Sequence, residues 1–131
     1  MPKLTGLDHL VLTVADVGVS CAFYQRVLGM TAEAFTPADG SQRWALKFGA
    51  QKINLHPADA PFVPHAKAPL PGAADLCFLS DTALATWQGH FDTQNVPVEN
   101  GPIARTGATG PIMSLYIRDP DGNLIEVSNR A

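Results

Sequence analysis

The order of elements constrains this chain more than any single motif does. A strand, a helix and three strands are followed by a proline-dense break, and then the same order returns. Leu7–Val14 (LDHLVLTV) is aliphatic and β-branched, lies between Gly6 and Asp16, and is predicted to be a strand. Asp16 is placed to cap a helix whose apolar positions Val19, Ala22, Phe23 and Val27 recur at helical spacing, and Gly29 is placed to end it. Three short strands are predicted next, over Met30–Thr36, Arg43–Phe48 and Lys52–His56. Residues 57–72 hold five of the eleven prolines (57, 61, 64, 69 and 71). Proline offers no ladder donor, so this segment is a linker or a wrapping loop.

Beyond it, Asp75–Ser80 is a predicted strand, and Asp81 caps a helix carrying Leu84, Trp87 and Phe91 that Asn95 ends. A short strand near Val96–Glu99, a glycine-containing loop, and strands over Ile112–Arg118 and Leu124–Ser128 complete the second unit. Asp119-Pro120-Asp121-Gly122 between the last two has the residue preferences of a type I turn and predicts a hairpin. The fold class is therefore α+β, with two βαβββ modules in one domain over residues 1–131. Module 1 covers about 5–57, the linker 58–72 and module 2 about 73–130.

A chain of 131 residues buries a core without needing staples, and two cysteines, Cys21 and Cys77, form no disulfide framework. Nine basic against twelve acidic residues leave no basic stripe, which argues against nucleic-acid binding. Residues 71–131 hold three basic and seven acidic side chains, a mild preference for cations. No apolar run reaches the ~18 residues of a membrane helix, and no leader is recognisable after Met1. The expectation is a soluble, cytoplasmic protein that does not bind membranes. Charged residues make up only 16% of the chain, which is compatible with a surface that is largely apolar or one shared with a partner subunit.

Superimposing the two units aligns His9 with Asp75, Asn54 with Glu126 and His56 with Ser128. In each of these strands the aliphatic residues take one parity and the polar ones the other. Leu10, Leu12 and Val14 oppose His9; Leu76 and Phe78 oppose Asp75; Ile53 and Leu55 oppose Asn54 and His56; Ile125 and Val127 oppose Glu126. With the aliphatic faces under the helices, His9, Asn54, His56, Asp75 and Glu126 share the other face. On pattern alone this is compatible with a divalent-metal site and equally with five solvated strand positions.

No GxGxxG, P-loop, HExxH or GxSxG motif is present. Ser20 and Cys21 lie in a helix without an evident base. The Ala104–Gly110 stretch (ARTGATG) is either a flexible connection or an anion grip built on Arg105 and backbone N–H groups. His65, in the proline-dense loop, and His90, on the helix face opposite Leu84, Trp87 and Phe91, are taken as surface residues.

Strand LDHLVLTV, the segment FYQRVLGM (Phe23–Met30) and the terminal DPDGNLIEV (Asp119–Val127) resemble the vicinal oxygen chelate superfamily. That group holds glyoxalase I, the fosfomycin and bleomycin resistance proteins and the extradiol dioxygenases. The resemblance spans about residues 6–129. KINLHP, PLPGAADLCF and VENGPIARTGATGPIMSLYIRDPDGNLIEVSN resemble more narrowly the branch of glyoxalase domain-containing protein 5 and related bacterial virulence proteins.

The resemblance implies paired βαβββ modules in a curved mixed sheet, with a divalent metal (Mn, Fe, Ni, Zn or Mg) in a central cup. By position it puts His9 and Glu126 in the first-strand and last-strand ligand slots. Asp75 falls where glyoxalase I and the dioxygenases usually carry His, and a carboxylate there still suits a hard cation. Asn54 falls where glyoxalase I has Glu. An amide is a poor ligand and removes the proton-transferring base, which argues against glyoxalase I activity itself. His56, two residues on, either replaces that ligand or acts as a general base.

Two functions remain open. One is a metal-dependent enzyme acting on a small molecule that chelates the metal through adjacent oxygens, with His56 and Glu126 as catalytic groups and Arg105 on an anionic tail. The other is a metal-free binder of the bleomycin-resistance type, with Trp44, Phe62 and Met113 available to line an apolar cleft; Asn54, Arg105, Trp44 and Met113 are the candidate substrate contacts. The resemblance also implies a homodimer, with modules paired within one chain or exchanged between two.

Overall fold

A computed structural model describes all residues, 1–131, in two compact units, Met1–Pro71 and Gly72–Ala131. Each carries a four-stranded mixed sheet and one helix, the α+β arrangement that the repeated element order predicts. No helix is long and apolar enough to cross a membrane.

The first unit contains β1 (His9–Val14), α1 (Val17–Leu28), β2 (Thr31–Phe35), β3 (Arg43–Phe48) and β4 (Gln51–Pro57), in sheet order β1-β4-β3-β2. Asp16 caps α1 by accepting the Val19 N–H at 2.9 Å. Gly29 ends the helix in the left-handed region, at φ 69°, where its N–H and that of Met30 close the last turn onto Gln25 and Tyr24. Phe23, Tyr24 and Val27 of α1 are buried, as are Leu12, Val14, Leu46, Ile53 and Leu55 of the sheet. Strand parity therefore delivers one aliphatic face to the helix and leaves His9, Val11, Thr13, Asn54 and His56 on the other.

The second unit repeats this with β5 (Asp75–Leu79), α2 (Leu84–Thr93), β6 (Asn100–Thr106), β7 (Pro111–Arg118) and β8 (Leu124–Arg130), in order β5-β8-β7-β6. Its core holds Leu84, Phe91, Leu115, Ile117, Ile125 and Val127. The Asp119–Gly122 hairpin forms as predicted, the Gly122 N–H bonding the Asp119 carbonyl at 3.0 Å.

Three local expectations are corrected. Asp81 does not cap α2. The helix begins at Leu84 after Ala83, and the Leu84 N–H is met instead by the Asn129 side chain at 3.0 Å, a cap supplied from β8. The strand expected near Val96–Glu99 lies at Asn100–Thr106, so Arg105 stands on a strand rather than in a loop. A β-bulge between Asn100 and Ile103 accounts for that segment's irregular pattern. His90 does not point away from the apolar stripe. It is half-buried, with its ring 5.9 Å from Trp87, because residues three apart meet on a helix.

Candidate functional site

In the first unit, register places Val11 beside Asn54 and Thr13 beside His56 across β1 and β4, with His9 one step further along. His9 is exposed, and its Nδ1–H donates to the Asp8 carboxylate at 2.9 Å. A carboxylate can only accept, so the neutral ring keeps its lone pair on Nε2. Asn54 Oδ1 and His56 Nδ1 are buried and have no hydrogen-bond partner. Native chains seldom leave such groups unsatisfied away from a ligand or water site.

The proline-dense segment wraps this helix-free face. The Phe62 ring meets His56 edge-on at 5.2 Å and carries the Arg43 guanidinium 4.1 Å above it. Pro64, His65 and Ala66 close a cavity of about 310 Å³ over Val11, Thr13 and His56. His65 itself is exposed, as expected.

Burial, reinforced by Arg43 and His65, holds the His56 imidazole below its ordinary pKa of 6.5. The unfolded chain therefore binds a proton at pH values where the folded chain does not. Stability is full above about pH 6.5 and is lost as pH falls from there through the folded-state value. In metal-free protein, urea midpoints measured from pH 7.5 down to 5 are expected to fall less for His56→Gln than for wild type. Equal slopes would show that His56 carries none of the dependence.

Trp44 pairs with Leu55 and so lies on the helix side, away from Asn54 and His56. There it lines an apolar cavity of about 350 Å³ with Val17, Cys21, Leu55 and Phe62. Met113 pairs with Asn129, on the face of β7 opposite to Tyr116 and Glu126. Neither residue shares a face with the polar set of its own module.

The helix-free face of the second unit is more polar. Cys77, Glu126 and Tyr116 form one cross-strand row, with Asp75 a step away on β5. Glu126 accepts the Ser114 hydroxyl at 2.5 Å on Oε2, Ser114 meets Ser128 at 2.7 Å, and Ser128 meets the Cys77 thiol at 3.2 Å. Each hydroxyl has one proton. Because Ser114 gives its own to Glu126, Ser128 donates to Ser114 and Cys77 to Ser128, so the chain is directed at the carboxylate. Ser114 and Ser128 are fully buried, so Oε2 is fixed while Oε1 has no hydrogen-bond partner. Desolvation pushes the Cys77 thiol up, and the Glu126 and Asp75 charges add to this.

A cavity of about 360 Å³ opens beside this row, lined by Cys77, Glu126, Ile112, Arg105, Arg130 and the Thr106–Thr109 loop. Arg105 donates from Nε to the Tyr116 hydroxyl at 2.9 Å, and Arg130 donates to Thr109 Oγ1.

The parity pattern thus places His9, Asn54 and His56 together on one face, and Asp75, Glu126 and Arg105 together on another. It does not single out Cys77, Ser114, Tyr116, Ser128 or Arg130. The available signal was that each shares the parity of a selected neighbour or lies opposite one. Within neither unit do three His, Cys, Asp or Glu side chains gather closely enough to hold a metal ion.

Residues 6–127 match the Glyoxalase/Bleomycin resistance protein/Dioxygenase superfamily. Virulence protein STM3117 of Salmonella typhimurium is 51% identical over 122 residues, which span 93% of this chain and 82% of the relative. Glyoxalase domain-containing protein RDO1 of Mycosarcoma maydis is 49% identical over 127 residues, spanning 97% and 69%. Among solved structures, an integron cassette protein from the mobile metagenome of V. cholerae superimposes with TM-score 0.94 at 51% identity, over 100% of this chain and 99% of that one. Lactoylglutathione lyase of Agrobacterium tumefaciens gives TM-score 0.69 at 28% identity, over 97% and 95%.

Proposed function

Because this chain belongs to the Glyoxalase/Bleomycin resistance protein/Dioxygenase superfamily, we propose that it is a metal-dependent enzyme acting on a small molecule with two adjacent oxygens. His9 and Glu126 are the metal ligands in this reading, and Asp75 and His56 are the candidates to complete the set. The reading rests on how His9 and Glu126 are held. Asp8 engages one imidazole nitrogen and Ser114 one carboxylate oxygen, leaving Nε2 and Oε1 free. Such secondary contacts orient metal-binding side chains.

The fit is partial, since neither module gathers three donors and the set is divided between them. Imidazole and carboxylate together suit Mn, Fe, Ni or Zn, and an all-oxygen remainder suits Mg. When bound, the cation supplies Lewis acidity toward the substrate's oxygens.

The chain's own groups do the rest. The Cys77–Ser128–Ser114 relay holds Glu126 in one rotamer, so its carboxylate need not reorganise on binding. His56, neutral and with Nδ1 unpartnered, is suited to accept a proton from a substrate over β4. Asn54, an amide where the resemblance implies a carboxylate, offers no proton-transferring base at that position.

Elemental mass spectrometry on untagged, chelator-free protein is expected to find close to one divalent metal per chain, lost in both His9→Ala and Glu126→Ala. Wild type that holds none, and takes up none of Mn²⁺, Fe²⁺, Ni²⁺ or Zn²⁺, overturns the reading. In that event the apolar cavity lined by Trp44, Leu55 and Phe62 favours the second reading, a metal-free binder of a small apolar molecule. A homodimer and a cytoplasmic location belong to the same proposal, and sedimentation velocity tests the first of them.

A further inference from the structure

Arg105 and Arg130 face one cavity, and neither has a carboxylate within ion-pair distance. Arg43 and Arg118, by contrast, are ion-paired with Asp39 and Glu99. The register explains how the two cations meet. Arg105 lies opposite Ile112, and Ile112 lies opposite Arg130, so they flank a single apolar side chain across β6, β7 and β8. Their partners are neutral oxygens: the Tyr116 hydroxyl and the Ala104 carbonyl for Arg105, the Thr109 hydroxyl for Arg130. Neutral anchors fix the direction of a guanidinium without cancelling its charge.

Strand rise sets the Arg130 and Glu126 backbones about 13 Å apart. Arg105, drawn toward Tyr116 in the Glu126 row, reaches back across that interval. The whole module carries only three basic residues, and two of them open into this one cavity. That placement opposes the preference for cations which the overall charge of this half suggests.

We propose that the cavity between Arg105, Arg130 and Glu126 binds a small molecule by an oxyanion group, a carboxylate or a phosphate-type group, drawn in by the uncompensated charge of the two guanidinium groups that line it. The rest of the ligand lies along Ile112 toward Glu126. This deepens the enzyme reading by naming the substrate class, and it rests on that reading only for the role of Glu126. A cavity of about 360 Å³ is sized for a compact, metabolite-sized anion. Arg130, held at the loop rim by Thr109, is the selective element, because a guanidinium bonds an oxyanion more strongly than a neutral oxygen.

The test is titration of the full-length, metal-free chain at constant ionic strength with malonate, inorganic phosphate and the neutral isostere malonamide. Calorimetry gives the affinity, and amide NMR of Gly107 and Gly110 gives the location. Malonate or phosphate, or both, is expected to saturate and to shift those amides, the stronger of the two naming the oxyanion, while malonamide stays silent. Arg105→Gln and Arg130→Gln are each expected to raise Kd about tenfold or more, with an unchanged circular dichroism spectrum. Failure of both anions to saturate overturns the proposal, as does binding that both variants leave unchanged or that malonamide reproduces. The metal reading is separable. Arg130→Gln should keep wild-type metal content, and a chain that never takes up metal but binds malonate overturns the enzyme reading while leaving the anion site standing.

Discussion

Gly101→Ala is expected to prevent the second module from folding stably. Gly101 sits at φ +107°, a region L side chains rarely adopt, within the β6 bulge that lies against β7. An added Cβ would stand 2.2 Å from the Ser114 carbonyl oxygen and 3.1 Å from the Leu115 Cα, both of them backbone. Neither neighbour can rotate aside, so β6 and β7 must separate or the bulge must re-form. Strain of this kind, added to a main-chain clash, places the cost above about 4 kcal/mol, a large part of the stability of most domains. Ser114 also supplies the hydroxyl that fixes Glu126, so any fraction that folds should carry a displaced carboxylate. Soluble yield and urea midpoint measure the first effect. A variant within about 1 kcal/mol of wild type would show that the bulge yields more easily than its contacts imply.

Asn123→Ala is expected to cost about 2–4 kcal/mol, through a different mechanism. Asn123 is 1% exposed, and its amide donates to Asp119 Oδ2 at 2.7 Å while its carbonyl oxygen accepts the Ala74 N–H at 2.9 Å. One side chain therefore ties the β7–β8 turn to the start of β5. Asp119 returns the contact by accepting the N–H groups of Asp121 and Asn123, each at 2.9 Å. Alanine would leave a buried carboxylate oxygen and a backbone N–H without these partners, and the penalty for unmet buried groups exceeds the worth of the bonds themselves. Asn123→Asp should be as damaging, since it sets a second carboxylate against Asp119. Denaturant titration of both variants is the measurement, and loss of less than about 0.5 kcal/mol would mean that water replaces the amide without penalty.

Much of the fold was legible in the chain because it depends on local chemistry. The Asp16 cap, the Gly29 stop and the Asp119–Gly122 turn each follow from one residue's backbone preference and need no distant partner. The second helix start was not legible in the same way. Asp81 has the right side chain, yet the cap comes from Asn129, about 45 residues away in sequence. A local signal was present there, and a long-range hydrogen bond replaced it. Arg105 was read as a loop residue because glycines and threonines surround it. Pairing with Ile112 makes it a strand residue, and pairing is a property of two segments.

Of the candidate site, sequence alone determined which faces carry polar groups. Alternation is imposed by the strand itself, so His9, Asn54 and His56 had to share one side of their sheet, and Asp75 and Glu126 one side of theirs. It could not determine which residues become neighbours across strands. Register, set by packing against α1 and α2, put Cys77 beside Glu126 and gave that carboxylate its serine relay. Register also brought Arg130 opposite Ile112 and hence level with Arg105, 25 residues apart in the chain. A residue's parity is fixed by its own backbone, whereas its neighbours are fixed only when separate strands pair and bury their aliphatic faces together.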